Sequence, residues 1–278
     1  MSYIEAIILG IVQGLAEFLP VSSSGHLLML QHFFGIEADS VLIFTVLLHV
    51  GTLISVFFCY WNDILELIKE LFVTIGDLVR GRGLRLNERP VRKLGVMIVV
   101  ASIPTAVIGI LFEDIFEGFY TTLLPTGCGL LITGMLLWIA EMKRDNAKQI
   151  EDMKFSDALV VGVMQGIAIT PGISRSGSTL FGALSKGLQR DFAVKFAFLV
   201  SIPSIIGSVI FEGGSAAMES AFSTKLGPVI VGCVAAAVSG VIAIKAMITV
   251  VRKLSLRYFS MYVWIVGSAL IIYTLLTH

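Results

Sequence analysis

The chain has 278 residues, 56% of them hydrophobic and 14% charged, and its Lys+Arg and Asp+Glu counts of 20 each cancel to a formal net charge of zero. A soluble domain carries roughly 25% charged residues, so a mean hydropathy of +0.92 excludes a water-covered globule and places the chain in a bilayer, whose tails solvate apolar side chains directly. Zero net charge also leaves no basic footprint for nucleic acid.

A membrane-crossing helix needs about 20 mostly apolar residues. Residues 4–33 are apolar but interrupted by Pro20 and the run Ser22-Ser23-Ser24-Gly25, which predicts two short helices around a break. Neither a basic n-region nor a cleavage site is evident, so this stretch is expected to remain in the mature protein. A span over 40–60 follows. Lys69, Arg80, Arg82, Arg85, Arg89, Arg92 and Lys93 then crowd a loop over about 62–94, which reads as a helix and turn without chemistry. Spans over 95–112 and 120–140 come next, then a second basic loop with Lys143, Arg144, Lys148 and Lys154. Residues 157–188 are interrupted again, by Pro171-Gly172 and Ser174-Arg175-Ser176-Gly177. Three spans close the chain, over 192–212, 228–251 and 258–277, with Arg252, Lys253 and Arg257 between the last two.

The positive-inside rule makes the three basic loops cytoplasmic. The connections with Glu37 and Asp39, with Glu113, Asp114 and Glu117, and with Glu212 and Glu219, where Lys225 is the one basic residue, should face outward. Six spans satisfy this alternation only if each broken segment enters and leaves on one side, the first from outside and the second from inside. The predicted fold is an all-α integral membrane protein of six transmembrane helices plus two re-entrant helix-loop-helix hairpins, forming a single membrane domain over 1–278. Cys59, Cys128 and Cys233 fall in apolar stretches without pairing or metal-ligand spacing and read as buried, packed thiols.

An offset of 152 residues aligns Glu5-Ala6 with Asp157-Ala158, Gly10 with Gly162, Gln13-Gly14 with Gln165-Gly166, Ala16 with Ala168, Ser22 with Ser174 and Ser24-Gly25 with Ser176-Gly177, without a gap. With one copy entering from outside and the other from inside, the chain is expected to be an inverted-topology repeat, with halves of about 1–145 and 153–278. Ser102-Ile103-Pro104 resembles Ser201-Ile202-Pro203 at another offset, and Pro104 and Pro203 are expected to kink helices packed beside the broken segments.

Non-helical backbone survives in a bilayer only where protein or a water-filled cavity satisfies its amides, so two facing breaks predict a polar chamber. A helix restarts past each break, near Ser24 and near Ser176, and its first amides and serine hydroxyls suit a phosphate or carboxylate. Arg175 is the basic residue placed deep in the membrane region, where an ionisable side chain marks a functional site; its planar fork suits bidentate phosphate, and an ion pair with Glu17 is its alternative role. Gln13 and Glu17 stand at i and i+4 on one helix face, and Glu17 is a candidate base or ligand to a divalent cation. His26, in Ser-Ser-Ser-Gly-His, is a candidate proton carrier. His49 reads as packing or a helix contact, and His32 and His278 as peripheral.

The stretch from Gln13 to His26, QGLAEFLPVSSSGH, together with Pro171 to Thr179, PGISRSGST, resembles the two signatures of the undecaprenyl-diphosphate phosphatase, or bacitracin-resistance, family, and length and span pattern fit over essentially the whole chain. The resemblance implies hydrolysis of undecaprenyl diphosphate to the monophosphate lipid carrier, with bacitracin resistance as a consequence, in a bacterial inner membrane with the site facing the outer side. It places catalysis on Glu17, His26, Ser23 and Arg175, and substrate binding on Gln13, Ser22, Ser24, Gly25, Gly172, Ser174, Ser176, Gly177 and Thr179. Mg²⁺ or Ca²⁺ at Glu17 is the expected cofactor, although Gln13 where the family can also have Glu weakens a two-carboxylate site. The attacking group is Ser23 activated by His26, or a water oriented by Glu17 and His26. A prenyl diphosphate lipid and the bilayer are the expected partners, and a homodimer is left open.

Two other readings use the same residues. Inverted repeats with broken helices also build secondary transporters and flippases. Ser24-Gly25-His26, Ser174-Arg175 and Arg89-Pro90 echo the lipid phosphatases of the Lys-x6-Arg-Pro pattern, but in the wrong order, with Arg82 for the lysine and Phe181 for the second histidine.

Overall fold

The computed structural model describes residues 1–36, 38–86, 88–143, 147–212 and 226–277, with the side chains of 38–43 and 211–212 outside the description. The expectations on Glu37, Asp39, Arg144, Glu212, Glu219, Lys225 and His278 therefore lie outside the described residues. The described chain is helical, without strands. Its elements are α1 (Tyr3–Phe18), α2 (Ser23–Phe34), α3 (Ala38–Cys59), α4 (Trp61–Val79), α5 (Pro90–Leu111), α6 (Glu113–Phe119), α7 (Leu123–Glu141), a 3₁₀ turn (Ile150–Asp152), α8 (Phe155–Ile167), α9 (Arg175–Ser185), α10 (Arg190–Glu212), α11 (Leu226–Lys253) and α12 (Arg257–Thr277).

Five helices, α5, α7, α10, α11 and α12, are long and apolar enough to cross a membrane, and α3 with α4 adds a sixth if that bent pair counts as one span. At Tyr60 the chain turns by 87° from α3 into α4. Helix α4 buries Ile64, Glu70, Thr74 and Asp77 while exposing Ile68, Leu71, Phe72, Ile75, Leu78 and Val79. That inverts the pattern of a helix in water and fits one lying in a lipid interface. Its inward carboxylates are held by the buried Arg92 of α5, at 2.6 Å from Glu70 and 2.9 Å from Asp77.

Both predicted breaks are present, and the local reasons are visible. Helix α1 opens with a capping box between Ser2 and Glu5 and closes at Leu19, which is extended (φ −73°, ψ 143°) because the residue before a proline is pushed out of the helical region. Helix α2 restarts with Ser22 as N-cap, whose Oγ accepts from the Gly25 amide at 3.2 Å. In the second segment Gly172 takes φ 85°, and α9 restarts with Ser174 accepting from the Gly177 amide at 3.1 Å. With 16, 12, 13 and 11 residues, none of α1, α2, α8 and α9 is long enough to cross alone. The two helices of each pair pack against each other.

The broken segments are held by the long helices through close backbone approach. A Cβ at Gly10 would sit 2.3 Å from the Gly232 carbonyl oxygen of α11, and one at Gly162 would sit 2.0 Å from the Ala101 carbonyl oxygen of α5, the small-residue packing by which membrane helices associate. Thus α1 packs on α11 and α8 on α5, while α3 meets α11, α5 meets α10, and α7 meets α12. Pro104 and Pro203 lie inside α5 and α10, which pack on α8 and α9. The cysteines are free but none is fully buried, and Cys128 is exposed on α7, correcting the expectation of buried thiols.

Gly162→Ala should lower the apparent melting temperature of the detergent-solubilised protein, by the equivalent of roughly 1–3 kcal/mol for an overpacked contact. Gly76→Ala, with nothing within 4 Å of the new methyl, should not.

Candidate active site

The two breaks meet. Ser176 Oγ of α9 donates to the Leu19 carbonyl at 3.1 Å, and a Cβ at Gly25 would lie 3.3 Å from the Gly172 Cα. The last turn of α1 thereby faces the first turn of α9, which carry Glu17 and Arg175. Glu17 is 5% exposed, and a carboxylate so far from water needs compensating charge and donors. On Oε1 it takes the Arg175 guanidinium. On Oε2 it takes the Ser23 hydroxyl at 2.6 Å and the Gln13 side-chain amide at 3.1 Å, with His49 Nε2 at 3.9 Å. The alternative role of Arg175, an ion pair with Glu17, is the contact made in this state.

A cavity of about 10 Å³, lined by Glu17, Phe18, Arg175, Ser176, Thr179, Ala197, Phe198 and Ser201, adjoins this pair. That is room for about one water and not for a diphosphate group.

The serines hold the backbone in matched ways. Ser22 Oγ lies 3.2 Å from Ser24 Oγ, and Ser174 Oγ lies 3.2 Å from Ser176 Oγ. The Gly25 and Gly177 amides, expected to be free for phosphate, are occupied by the Ser22 and Ser174 caps. Thr179 Oγ1 donates within its own helix, to the Arg175 and Ser176 carbonyls. Gly172 is required twice over: its φ is positive, and a Cβ there would lie 2.1 Å from the Thr126 carbonyl oxygen. Thr133 of α7 fastens the same turn, donating to the Gly172 carbonyl at 3.0 Å and accepting from the Ser174 amide at 2.9 Å.

His26 is not where its sequence neighbours imply. Its Nδ1 contacts the Ser22 carbonyl at 2.8 Å and its Nε2 the Tyr262 hydroxyl at 2.7 Å, so both ring nitrogens are engaged and the Ser23 hydroxyl turns to Glu17 instead. The expected activation of Ser23 by His26 is thus not the contact made, because the ring folds back over its own N-cap.

Three partners lie outside the site that the sequence predicts, where His49 reads as packing or a helix contact. His49 is brought from α3 to Glu17, with Nδ1 held by the Thr45 carbonyl at 2.8 Å; an ionisable residue inside an apolar span was the signal for it. Tyr262 and Thr133 carry no local signal. His32 is peripheral as expected, exposed and 3.4 Å from the Tyr273 hydroxyl. At the offset positions in the second half, Gln165 donates to Thr105 and Ser204 at 3.2 and 2.6 Å and Ile169 stands where the first half has Glu17, so only one half carries the acid.

As a metal site the cluster is partial. Both Glu17 oxygens already carry donors, and among the described residues no group of three or more His, Cys, Asp or Glu could hold an ion. Gln13 Oε1, however, is buried without a partner beside Glu17. One carboxylate and one amide oxygen are the groups here that could hold a cation, and magnesium commonly arrives with phosphate groups.

A buried acid holding a serine hydroxyl and a guanidinium, at two helix breaks in a polytopic membrane chain, defines the class as a membrane-embedded enzyme or carrier acting on an anionic group. The chain belongs to the family described as bacitracin resistance protein BacA, whose model matches residues 6–269. It is 50% identical over 276 residues to the undecaprenyl-diphosphatase of Alkaliphilus metalliredigens (strain QYMF), covering 99% of this chain and 100% of that one. It is 42% identical over 274 residues to the undecaprenyl-diphosphatase of Carboxydothermus hydrogenoformans, covering 98% and 97%. The undecaprenyl-diphosphatase of Halothermothrix orenii is 40% identical over 277 residues, with 98% of each chain covered.

Proposed function

We propose that this protein hydrolyses undecaprenyl diphosphate to undecaprenyl phosphate and inorganic phosphate, recycling the lipid carrier for cell-wall synthesis and withdrawing the target of bacitracin. The observation that carries this reading is Glu17, which holds the Ser23 hydroxyl on one oxygen and the Arg175 guanidinium on the other. Family membership and the full-length relatives named undecaprenyl-diphosphatase supply the substrate.

The diphosphate carries more negative charge than a carboxylate, so Arg175 passes from Glu17 to the terminal phosphate and clamps it through its planar fork. Glu17 is then left with the Ser23 hydroxyl as its nearest donor and takes that proton as Oγ bonds to phosphorus. The anhydride P–O bond breaks, and its electron pair leaves with undecaprenyl phosphate. Water then hydrolyses the phosphoserine and releases inorganic phosphate. The proton held on Glu17 returns to Ser23 Oγ as phosphate departs, and His26 is the proton carrier that takes up the proton released by the water. A water oriented by Glu17 is the other nucleophile this carboxylate can serve. Stabilising charge spread over the phosphoryl oxygens is the main task in such a transfer, and Arg175 supplies it. Glu17 with Gln13 Oε1 would hold Mg²⁺ or Ca²⁺ carried by the diphosphate, and the ion would neutralise phosphate charge.

The reading extends to topology. Four helices too short to span, packed as two hairpins, support two re-entrant segments among six transmembrane helices. Inverted repeats over about 1–145 and 153–278 are supported by the matched Ser22 and Ser174 caps and by the exchange in which α1 packs on α11 and α8 on α5. The basic loops, read as cytoplasmic, support a site that opens toward the outer side of a bacterial inner membrane.

Purified Glu17→Ala and Arg175→Ala variants should lose phosphate release from undecaprenyl diphosphate by at least roughly 100-fold while remaining folded and inserted. Arg175→Ala, which strips the buried Glu17 of its counter-charge, should also melt at a lower temperature. Normal turnover in either overturns the assignment. The assay runs in detergent, where no second compartment exists, so binding without phosphate release would favour the transporter or flippase reading. Ser23→Ala separates the nucleophiles: loss of turnover together with loss of an acid-quenched phosphoprotein indicates serine, and retained turnover indicates water.

A further inference from the structure

The proton carrier of the proposed reaction has a partner on a distant helix. His26 Nδ1 lies 2.8 Å from the Ser22 carbonyl oxygen, and a carbonyl only accepts, so Nδ1 bears the hydrogen. In the neutral ring Nε2 is then a lone pair, and it lies 2.7 Å from the Tyr262 hydroxyl of α12. The rings are nearly parallel, at 12° with centroids 5.7 Å apart. The His26 tautomer is therefore set from both ends.

Each end is built by the fold. Ser22 has φ 71°, a region non-glycine residues rarely occupy and one that gathers at functional sites. In that conformation its carbonyl accepts both the backbone amide of His26, at 3.2 Å, and the ring Nδ1. At the other end Tyr262 comes from α12, 236 positions away in sequence, and sets its hydroxyl against Nε2. A tyrosine serving only as packing has no need to place its hydroxyl on the one free nitrogen of a histidine beside the serine run.

We propose that Tyr262 is the positioning residue for His26, its hydroxyl holding the ring in one orientation and tautomer. When Nε2 gains a proton, the Nε2–H donates to the Tyr262 oxygen and the phenolic O–H turns away from the ring. When Nε2 gives the proton up, the phenol turns back and donates to the lone pair. The phenol keeps its own proton in both states. This rests on the role of His26 given above, and the test separates the two.

Phosphate release from undecaprenyl diphosphate is measured in detergent for Tyr262→Phe, His26→Ala and the double variant. Tyr262→Phe keeps the ring and loses only the hydroxyl. It should lower kcat roughly tenfold, the scale of one hydrogen bond, with KM within a factor of two and an unchanged melting temperature. On the His26→Ala background the same change should have no further effect, because both substitutions remove one linked function. Wild-type kcat for Tyr262→Phe with His26→Ala impaired overturns this inference alone, as does an equal tenfold loss on the His26→Ala background. Wild-type turnover of His26→Ala overturns the role of His26 in the reaction and this inference with it. A change in KM without one in kcat places Tyr262 in binding and likewise overturns it.

Discussion

The ion pair between Glu17 and Arg175 is the interaction on which the rest of the site depends. A carboxylate 5% exposed in a membrane chain is costly without a counter-charge, and the guanidinium that compensates it comes from the other half of the chain, 158 positions away. The pair therefore does two things. It holds the two breaks face to face, with the Ser176 bond to the Leu19 carbonyl beside it, and it holds at the acid the guanidinium that the proposed mechanism assigns to the phosphate. The cavity beside the pair holds about one water, so the proposed binding of a diphosphate takes the form of an exchange of partners at Arg175.

That exchange requires a stiff frame. The breaks are fixed by Pro20 and Pro171, by the caps of Ser22 and Ser174, and by the Thr133 hydroxyl on the second turn. The glycine contacts of α1 with α11 and of α8 with α5 set the depth at which each break sits. Glu17 and Arg175 are thus presented by short helices whose positions are dictated by the spans of the opposite half. The halves share a backbone device and differ in chemistry: Gln165 and Ile169 stand where Gln13 and Glu17 do.

Much of this was legible before the structure because the signals were local. Proline, glycine and serine runs inside apolar sequence mark breaks, and a lone arginine placed deep in the membrane region makes Glu17 its candidate partner as the alternative to phosphate. What was not legible depended on side-chain direction and on distant helices. His26 stands three residues after Ser23, yet its ring folds back onto the Ser22 carbonyl and across to Tyr262, which nothing near His26 announces. His49 joins Glu17 only because α3 packs beside α1. The serine hydroxyls and first amides, read as phosphate ligands, are engaged in capping each other, and the 87° corner at Tyr60 falls where periodicity shows only the end of a span.

The central claim is that Arg175 leaves Glu17 for the phosphate. It is tested most directly by the affinity of a non-hydrolysable prenyl methylene-diphosphonate for wild type and Glu17→Gln, measured in detergent with a chelator present. Because the amide gives Arg175 no counter-charge to surrender, the variant should bind the analogue more tightly than wild type while releasing no phosphate from the true substrate. Equal or weaker binding by Glu17→Gln would contradict the account.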